Sequence, residues 1–418
     1  MLQEFKQWMP KGQQLLFWGV LIVWMSSLLF LLFSGGKLGA LMFFITTILT
    51  AYLLLLARWS GINDIVGKRI SNNLNEKHRL ETGDSIHLKT IFSIPGFWPI
   101  PYIFIRDQLI HHQLGTKIYQ SSFVPDFDRN GYIEFTVPDL MRGSYKFGQT
   151  ECSTGDLLNL FEHKSFLNLP SQFNVYPKTI RIREWPDVSL LKKSIFRNAS
   201  ASRYQKETNQ IDGVREYVHG DRLSRIHWNA SAKTGELKSK EFIRESIPKI
   251  LLIIDQFYDA YDDDKQFELA VSATASMINY ISKQQIPVGL FSPGKKVRYF
   301  KPKHGGANRH RLEDHLLYVS SDGDIPIQEA LLNQRLQRLQ GSLVVVITPV
   351  ADDHIFHRLR WLKKMKLQPC HILLSSQASR ENEKWKHRLQ VEQISSYKIR
   401  SLEELPVALR GSNHESSG

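Results

Sequence analysis

The sequence predicts a multidomain protein with two transmembrane helices, then a β-sandwich, then an open α/β sheet. Three observations carry this. Two apolar runs, Leu15–Phe33 and Leu38–Ala57, open the chain without an acid or base inside them. Between about Asn72 and Trp185, short stretches alternate apolar and polar residues and are broken by turn dipeptides. From Lys249 onward, apolar runs alternate with stretches of helical period.

The apolar runs are 19 and 20 residues long. As helices each spans about 28–30 Å, the thickness of a hydrocarbon core. Ser34-Gly35-Gly36-Lys37 between them suffices for a tight hairpin. A signal peptide has a shorter apolar region and no second span behind it. Lys6 and Lys11 precede the hairpin, and Arg58, Lys68 and Arg69 follow it, against Lys37 alone in its loop. The positive-inside bias therefore places both tails, residues 1–14 and everything past residue 57, in the cytoplasm.

In the segment 72–185, Ile86, Leu88, Thr90 and Phe92 alternate with polar residues. So do Ile133, Phe135 and Val137, and later Tyr145 with Phe147 and Phe173 with Val175. Gly83-Asp84, Pro95-Gly96, Asn130-Gly131 and Arg142-Gly143 supply turn chemistry between the runs. A connector follows over 186–240, rich in Ser, Asn, Lys and Gln up to Gln210. The α/β segment covers 241–410. Ile250–Ile254 is a continuous apolar run ending in Asp255, the pattern of a strand buried on both faces. Lys265–Lys283, Ile327–Leu339 and Phe356–Met365 read as helices, and Val288–Phe291, Leu343–Thr348 and His371–Leu374 as strands. Residues 411–418 read as a disordered tail. In open sheets of this kind ligands sit at the carboxyl ends of the strands, which directs attention to Asp255 and the loop after Thr348.

The 418 residues include 54 Lys plus Arg and 41 Asp plus Glu, so the net charge of +13 favours anionic surroundings. Two distant cysteines, Cys152 and Cys370, exclude a disulfide framework, a Cys-rich zinc site and a thioredoxin-type motif. GxxxxGK[ST], GxGxxG and HExxH are absent, which leaves a P-loop ATPase, a dinucleotide enzyme and a zincin unsupported. No cofactor is expected.

Three stretches are specific. Arg142-Gly-Ser-Tyr145-Lys-Phe-Gly148 is followed by Asp156-Leu-Leu-Asn-Leu160-Phe161. The second runs from Gly213 through Arg215, Tyr217, Gly220, Asp221, Arg222, Arg225, His227, Trp228 and Ser231 to Lys233. The third is the strand ending at Asp255. In this order behind a membrane hairpin they resemble the bacterial membrane proteins of domain-of-unknown-function family fifty-eight, whose motifs read RG-x-Y-x-x-G, D-P-F-G-L-F and Y-x-x-G-D-x-x-R-x-I-H-W-x-x-S-A. The Tyr217–Ala232 stretch matches throughout; Asp156–Phe161 lacks the Pro and Gly. The resemblance implies a bacterial inner-membrane location and a von Willebrand factor A-like domain at the C-terminus. It also implies partners, a MoxR-type AAA+ ATPase and a transglutaminase-like membrane protein, in assembly or maturation of other proteins.

Metal-binding A-like domains carry D-x-S-x-S, a loop Thr and a later Asp. Here Asp255 is retained, Phe257 and Asp259 stand for the serines, Ile325 for the Thr and Pro349 for the last Asp. With so few ligand oxygens, no metal site is expected, Asp255 and Asp259 being its residue. Asp221, His227, Ser231 and Lys233 include the types needed for a hydrolase or transferase. The arginines with Lys233 suit an anion. The preferred reading is a structural clasp in which Asp221 pairs with an arginine while His227 and Trp228 lock the connector onto the A-like domain. Lys295, Lys296, Arg298, Lys301, Lys303, Arg309 and Arg311 form a basic run, read as a loop able to meet an anionic membrane surface. The function expected from all this is a membrane-anchored scaffold or adaptor for protein–protein interaction.

Overall fold

The computed structural model describes residues 14–410, apart from 60, 72–78, 97–99, 157–159, 194–210, 220, 222, 243–248, 338 and 376–379. The expected tail 411–418, most of the Ser/Asn-rich connector and Gly220 therefore lie outside the described residues. Chain contacts divide the protein into two units, Met1–Tyr176 and Pro177–Gly418.

The first unit begins with two apolar helices, α1 (Gln14–Ser34) and α2 (Gly36–Trp59), each long and apolar enough to cross a membrane. Gly35 and Gly36, at φ of 55° and 80°, adopt the left-handed backbone that reverses the chain between them. Most of their apolar side chains, Ile22, Val23, Leu32 and Phe44 among them, point outward. Two polar contacts tie the pair together: Trp24 Nε1 donates to Thr47 Oγ1 at 3.0 Å, and the Ser27 and Thr46 hydroxyls lie 2.7 Å apart. Such bonds matter where no apolar driving force separates helix from surroundings.

Among the described residues, nine strands follow: β1 (Val66–Ser71), β2 (Ile86–Ser93), β3 (Ile103–His111), β4 (Gly115–Phe123), β5 (Asn130–Val137), β6 (Gly143–Phe147), β7 (Gln149–Gly155), β8 (Glu162–Asn168) and β9 (Gln172–Val175). They make a sheet in the order β1-β2-β5 and a second in the order β8-β7-β3-β6-β9, with β4 paired to β3. Ladder pairing within them is antiparallel. The inward residues of both sheets share two clusters. Ile86, Leu88 and Val137 meet Leu109, Phe147 and Phe173 in one. Phe92 and Ile133 meet Ile103, Ile105 and Cys152 in the other.

The Arg142–Gly148 motif has a packing role here. The Tyr145 hydroxyl accepts from Met141 N–H at 3.0 Å and donates to Met141 O at 3.1 Å, while its ring stacks on Phe173. Gly143 has φ of 148°, and a Cβ there would lie 2.3 Å from His111 Nε2. The Asp156–Phe161 loop joins the helices to the sheets. Both Asp156 oxygens accept backbone N–H groups, from Leu160 at 3.2 Å and Phe161 at 2.7 Å. Phe161, so presented, packs against Phe17 and Leu53 of the apolar helices. Residues 157–159, which include the positions of the motif's Pro and Gly, lie outside the described residues.

Asn130-Gly131 is not a turn. The reversal lies at Asp126–Arg129, where Arg129 adopts φ of 59° and donates to Asp126 O at 2.9 Å. Gly131 sits in β5 under the Phe123 ring, which leaves no room for a Cβ. The strand β4 went unread because its residues are mostly exposed and show no apolar alternation.

In the second unit β12 (Ile250–Ile254), β13 (Val288–Pro293), β14 (Val297–Lys303), β15 (Leu343–Thr348), β16 (Gln368–Leu374) and β17 (Ser395–Ile399) form one sheet. Their order in it is β14-β13-β12-β15-β16-β17. All pairs are parallel except β13 with β14. Ile250, Leu252 and Ile254 face a core with a helix at Asp264–Lys283, whereas Leu251 and Ile253 face a second core with helices at Asp353–Lys364 and Arg380–Val391. The helical reading of Ile327–Leu339 resolves into two single turns, Ile327–Ala330 and Gln334–Gln337. The basic run is not one loop: Val297–Lys303 is the antiparallel edge strand and Gly306–Leu317 a helix. An edge strand bonds on one side only, so it tolerates the charge that disguised it. Trp185, read as the end of the β-rich segment, is buried in the α/β core with Val188 and Leu191 of a short helix at 186–193.

One buried ion pair crosses between the two sheets of the first unit. Arg69 on β1 donates to Asp107 Oδ2 on β3 at 2.5 Å and to Leu169 O at 2.9 Å, and its guanidinium lies 3.7 Å from the Phe147 ring centre. Thr150 of β7 donates to the other Asp107 oxygen at 3.0 Å. Arg69→Met strands a buried carboxylate and should cost about 3–5 kcal/mol in chemical denaturation. Arg69→Met with Asp107→Leu should recover most of that loss, and equal destabilisation of both variants would contradict the pairing.

Candidate functional site

The Gly213–Lys233 motif folds into its own small module. Strands β10 (Ile211–Glu216) and β11 (Lys238–Phe242) pair antiparallel, and the chain between them forms a 3-10 turn at Leu223–Arg225 and the short helix α3 (Trp228–Thr234). Arg215 Nη2 donates to Asp221 Oδ1 at 2.8 Å, and this bond holds the Asp221 carboxyl below the usual carboxylate range. Asp221 Oδ2 accepts from Val218 N–H at 3.3 Å, and the Tyr217 hydroxyl donates to Asp221 O at 3.3 Å. These three bonds tie Asp221 to Arg215, Tyr217 and Val218.

His227 caps α3: its Nδ1 accepts from Ala230 N–H at 3.1 Å. That bond engages Nδ1 with the backbone at the start of α3. Ser231 Oγ donates to His227 O at 3.1 Å and accepts from Lys238 N–H at 2.8 Å, so the hydroxyl welds helix to hairpin. Lys233 is exposed in the last turn of α3, and Arg225 ends the 3-10 turn. Among the described residues no hydrogen bond joins His227 to Asp221.

The apolar members of the module behave oppositely to the polar ones. Trp228 is 65% exposed, Leu223 70% and Val218 60%, with Val214 and Leu237 also open. Trp228 therefore does not lock the connector onto the α/β core. Within the module, Ile226 and Ser239 are buried and bridge to each other across the hairpin.

Asp255 lies at the carboxyl end of β12 and is fully buried. Phe257 N–H donates to its Oδ1 at 3.0 Å and Thr348 Oγ1 to its Oδ2 at 2.7 Å. Asp259 is exposed and is not brought to it. Among the described residues, no group of three or more His, Cys, Asp or Glu side chains is placed to hold a metal ion. Sequence reasoning missed a polar chain beside it. Ser292 donates to Gln256 Oε1, Gln256 Nε2 to Ser320 O at 2.8 Å, and His315 Nε2 lies 3.0 Å from Ser292 Oγ. Its members come from three elements, so no local spacing announces it.

Burial pushes the Asp255 carboxyl up to about 6 from its ordinary 3.8. The folded state holds that proton more tightly than the unfolded chain, so folding is progressively penalised as pH rises from about 4 through about 6. Asp255→Asn removes this titration. Its melting temperature relative to wild type should therefore rise between about pH 4.5 and pH 7.5, measured on the detergent-solubilised chain. A difference that does not vary with pH would show that Asp255 stays charged throughout.

Comparison with known proteins gives context. The chain is 25% identical over 354 residues to the "Uncharacterized protein YeaD" of Bacillus subtilis (strain 168), covering 83% of this chain and 85% of that one. Among solved structures, proximal thread matrix protein 1 from the mussel byssus aligns at 16% identity and a TM-score of 0.29, over 39% of this chain and 45% of that one. The CARDB domain of the PF1109 protein from Pyrococcus furiosus aligns at 10% identity and a TM-score of 0.18, over 28% of this chain and 94% of that one. Neither structural likeness bears on the fold. Residues 213–372, from the motif hairpin into β16, match the family described as "Protein of unknown function DUF58".

Proposed function

We propose that this protein is a membrane-anchored adaptor whose Tyr217–Lys233 module docks a partner protein. The observation that carries this is the division of labour in the module. Its polar side chains, Asp221, His227 and Ser231, are occupied by the backbone, while Val218, Leu223 and Trp228 stand in solvent. Three large apolar side chains held outward on a hydrogen-bonded frame suit a protein contact, where Trp is among the residues that contribute most.

The α/β unit supports the same reading. A strand order with the first strand central, an antiparallel edge strand and an acid at the end of the first strand is the plan of a von Willebrand factor A-like domain. With both Asp255 oxygens engaged internally, such a domain would act without metal. The two apolar helices would hold it at the bacterial inner membrane, with the charge bias leaving both tails cytoplasmic. The leading partner is a MoxR-type AAA+ ATPase, with a transglutaminase-like membrane protein as a second, both from the family resemblance.

The test is purification of the tagged chain from detergent-solubilised membranes of its native host. The ATPase should co-purify with wild type, and Leu223→Ser with Trp228→Ala should reduce its recovery about tenfold, with an unchanged melting temperature. Absence of the ATPase from the wild-type preparation would reject that partner. Equal recovery with the variant would reject the docking surface.

A further inference from the structure

We propose that the cleft at the carboxyl ends of β12 and β13 binds the phosphoryl group of a small phosphate monoester. The cleft has a volume of about 640 Å³, the size of a small-molecule site. It lies beside the polar chain of Gln256, Ser292 and His315, at the edge of the sheet where open α/β folds place their ligands.

Charge is the first argument. Lys295, Lys296, Arg298 and Arg311 line the cleft, drawn together from the β13–β14 turn, β14 and the helix at Gly306–Leu317. Among the described residues, no carboxylate lies within ion-pair distance of any of the four. Asp314 and Asp322 also line it, and Asp322 Oδ1 accepts from Lys295 N–H at 3.2 Å. Four cations against two carboxylates leave two positive charges, which a phosphate dianion balances and a carboxylate monoanion does not. Two of the four are arginines, whose forked donors match phosphoryl oxygens.

The floor is the second argument. Gln256 Oε1 can only accept, so the Ser292 hydroxyl proton is committed to it, and Ser292 Oγ takes its own hydrogen bond from His315 Nε2–H. Ser292 and Gln256 are nearly fully buried, which makes the floor rigid and polar. Two glycines let the loops close on it. A Cβ at Gly294 would lie 2.8 Å from Gln256 Nε2, and one at Gly323 2.7 Å from Pro293 O. The walls add an apolar element, since Phe300 and the exposed ring of Tyr318 line the cleft and the Arg311 guanidinium lies 5.3 Å from the Phe300 ring centre. An ester with an organic body fits this lining better than the bare ion.

The experiment is calorimetric titration of the full chain, in a non-ionic detergent and a phosphate-free buffer, with phenyl phosphate, inorganic phosphate and benzoate. Phenyl phosphate should bind more tightly than either of the others. Arg298→Gln with Arg311→Gln should weaken it by at least about tenfold, and Lys295→Gln with Lys296→Gln provides a second pair of exposed positions should the first misfold. Absence of phenyl phosphate binding, affinity unchanged in both double variants, or benzoate binding as tight as phenyl phosphate would each overturn the proposal. Displacement of phenyl phosphate by short-chain phosphatidic acid would identify a lipid headgroup as the source. Displacement by glycerol 3-phosphate alone would identify a soluble ester.

Discussion

One strand with no exposed face organises the second unit. β12 is buried on both sides, so its residues must alternate between two separate cores, and both must be roofed by helices. That requirement sets the parallel order of the strands beside it and brings the loops after β12, β13 and β15 to one edge. Asp255 sits where this constraint ends, a carboxylate carried out of water by the strand before it. The protein meets that cost locally, with the Phe257 amide and the Thr348 hydroxyl on its two oxygens. A carboxylate so occupied is a structural link between β12 and β15 rather than an open ligand. The chemistry at this edge passes instead to the neighbouring cleft, where cations outnumber acids.

The two motif regions on either side of the unit boundary use polar residues in the same way. At Asp156 a carboxylate accepts the Leu160 and Phe161 N–H groups, and Phe161 packs against the apolar helices. In the Tyr217–Lys233 module, Asp221, His227 and Ser231 organise a turn and a helix whose outcome is the outward display of Leu223 and Trp228. A list of residue types in either stretch suggests acid–base chemistry. The hydrogen bonds show a backbone being shaped so that apolar side chains can make contacts. In one case the contact is internal; in the other the surface is open.

Much of the architecture was legible because it follows from period and length. Two apolar runs of spanning length need no tertiary information. Ile250–Ile254 reads as a doubly buried strand because five consecutive apolar residues have no other use in so short an element. Val288–Phe291 and Leu343–Thr348 follow for the same reason. Elements at the sheet margins were less legible. β4 and β14 each carry charge or polar residues on an open face, which removes the alternation that reveals a strand.

What the sequence determined by itself was the succession of apolar helices, strands and α/β units, since each depends on local spacing of apolar residues. It also determined that a basic run and a motif rich in Asp, Arg, His and Ser exist. Only the tertiary structure decided what those residues do. It turned the basic run into two elements converging on one cleft, and joined Gln256, Ser292, Ser320 and His315 from across the chain into its floor. It also engaged the His227 and Ser231 side chains with backbone groups and left Trp228 in solvent. The physical reason is that hydrogen-bond partnership and exposure depend on distances between segments far apart in sequence, which residue type and spacing do not contain.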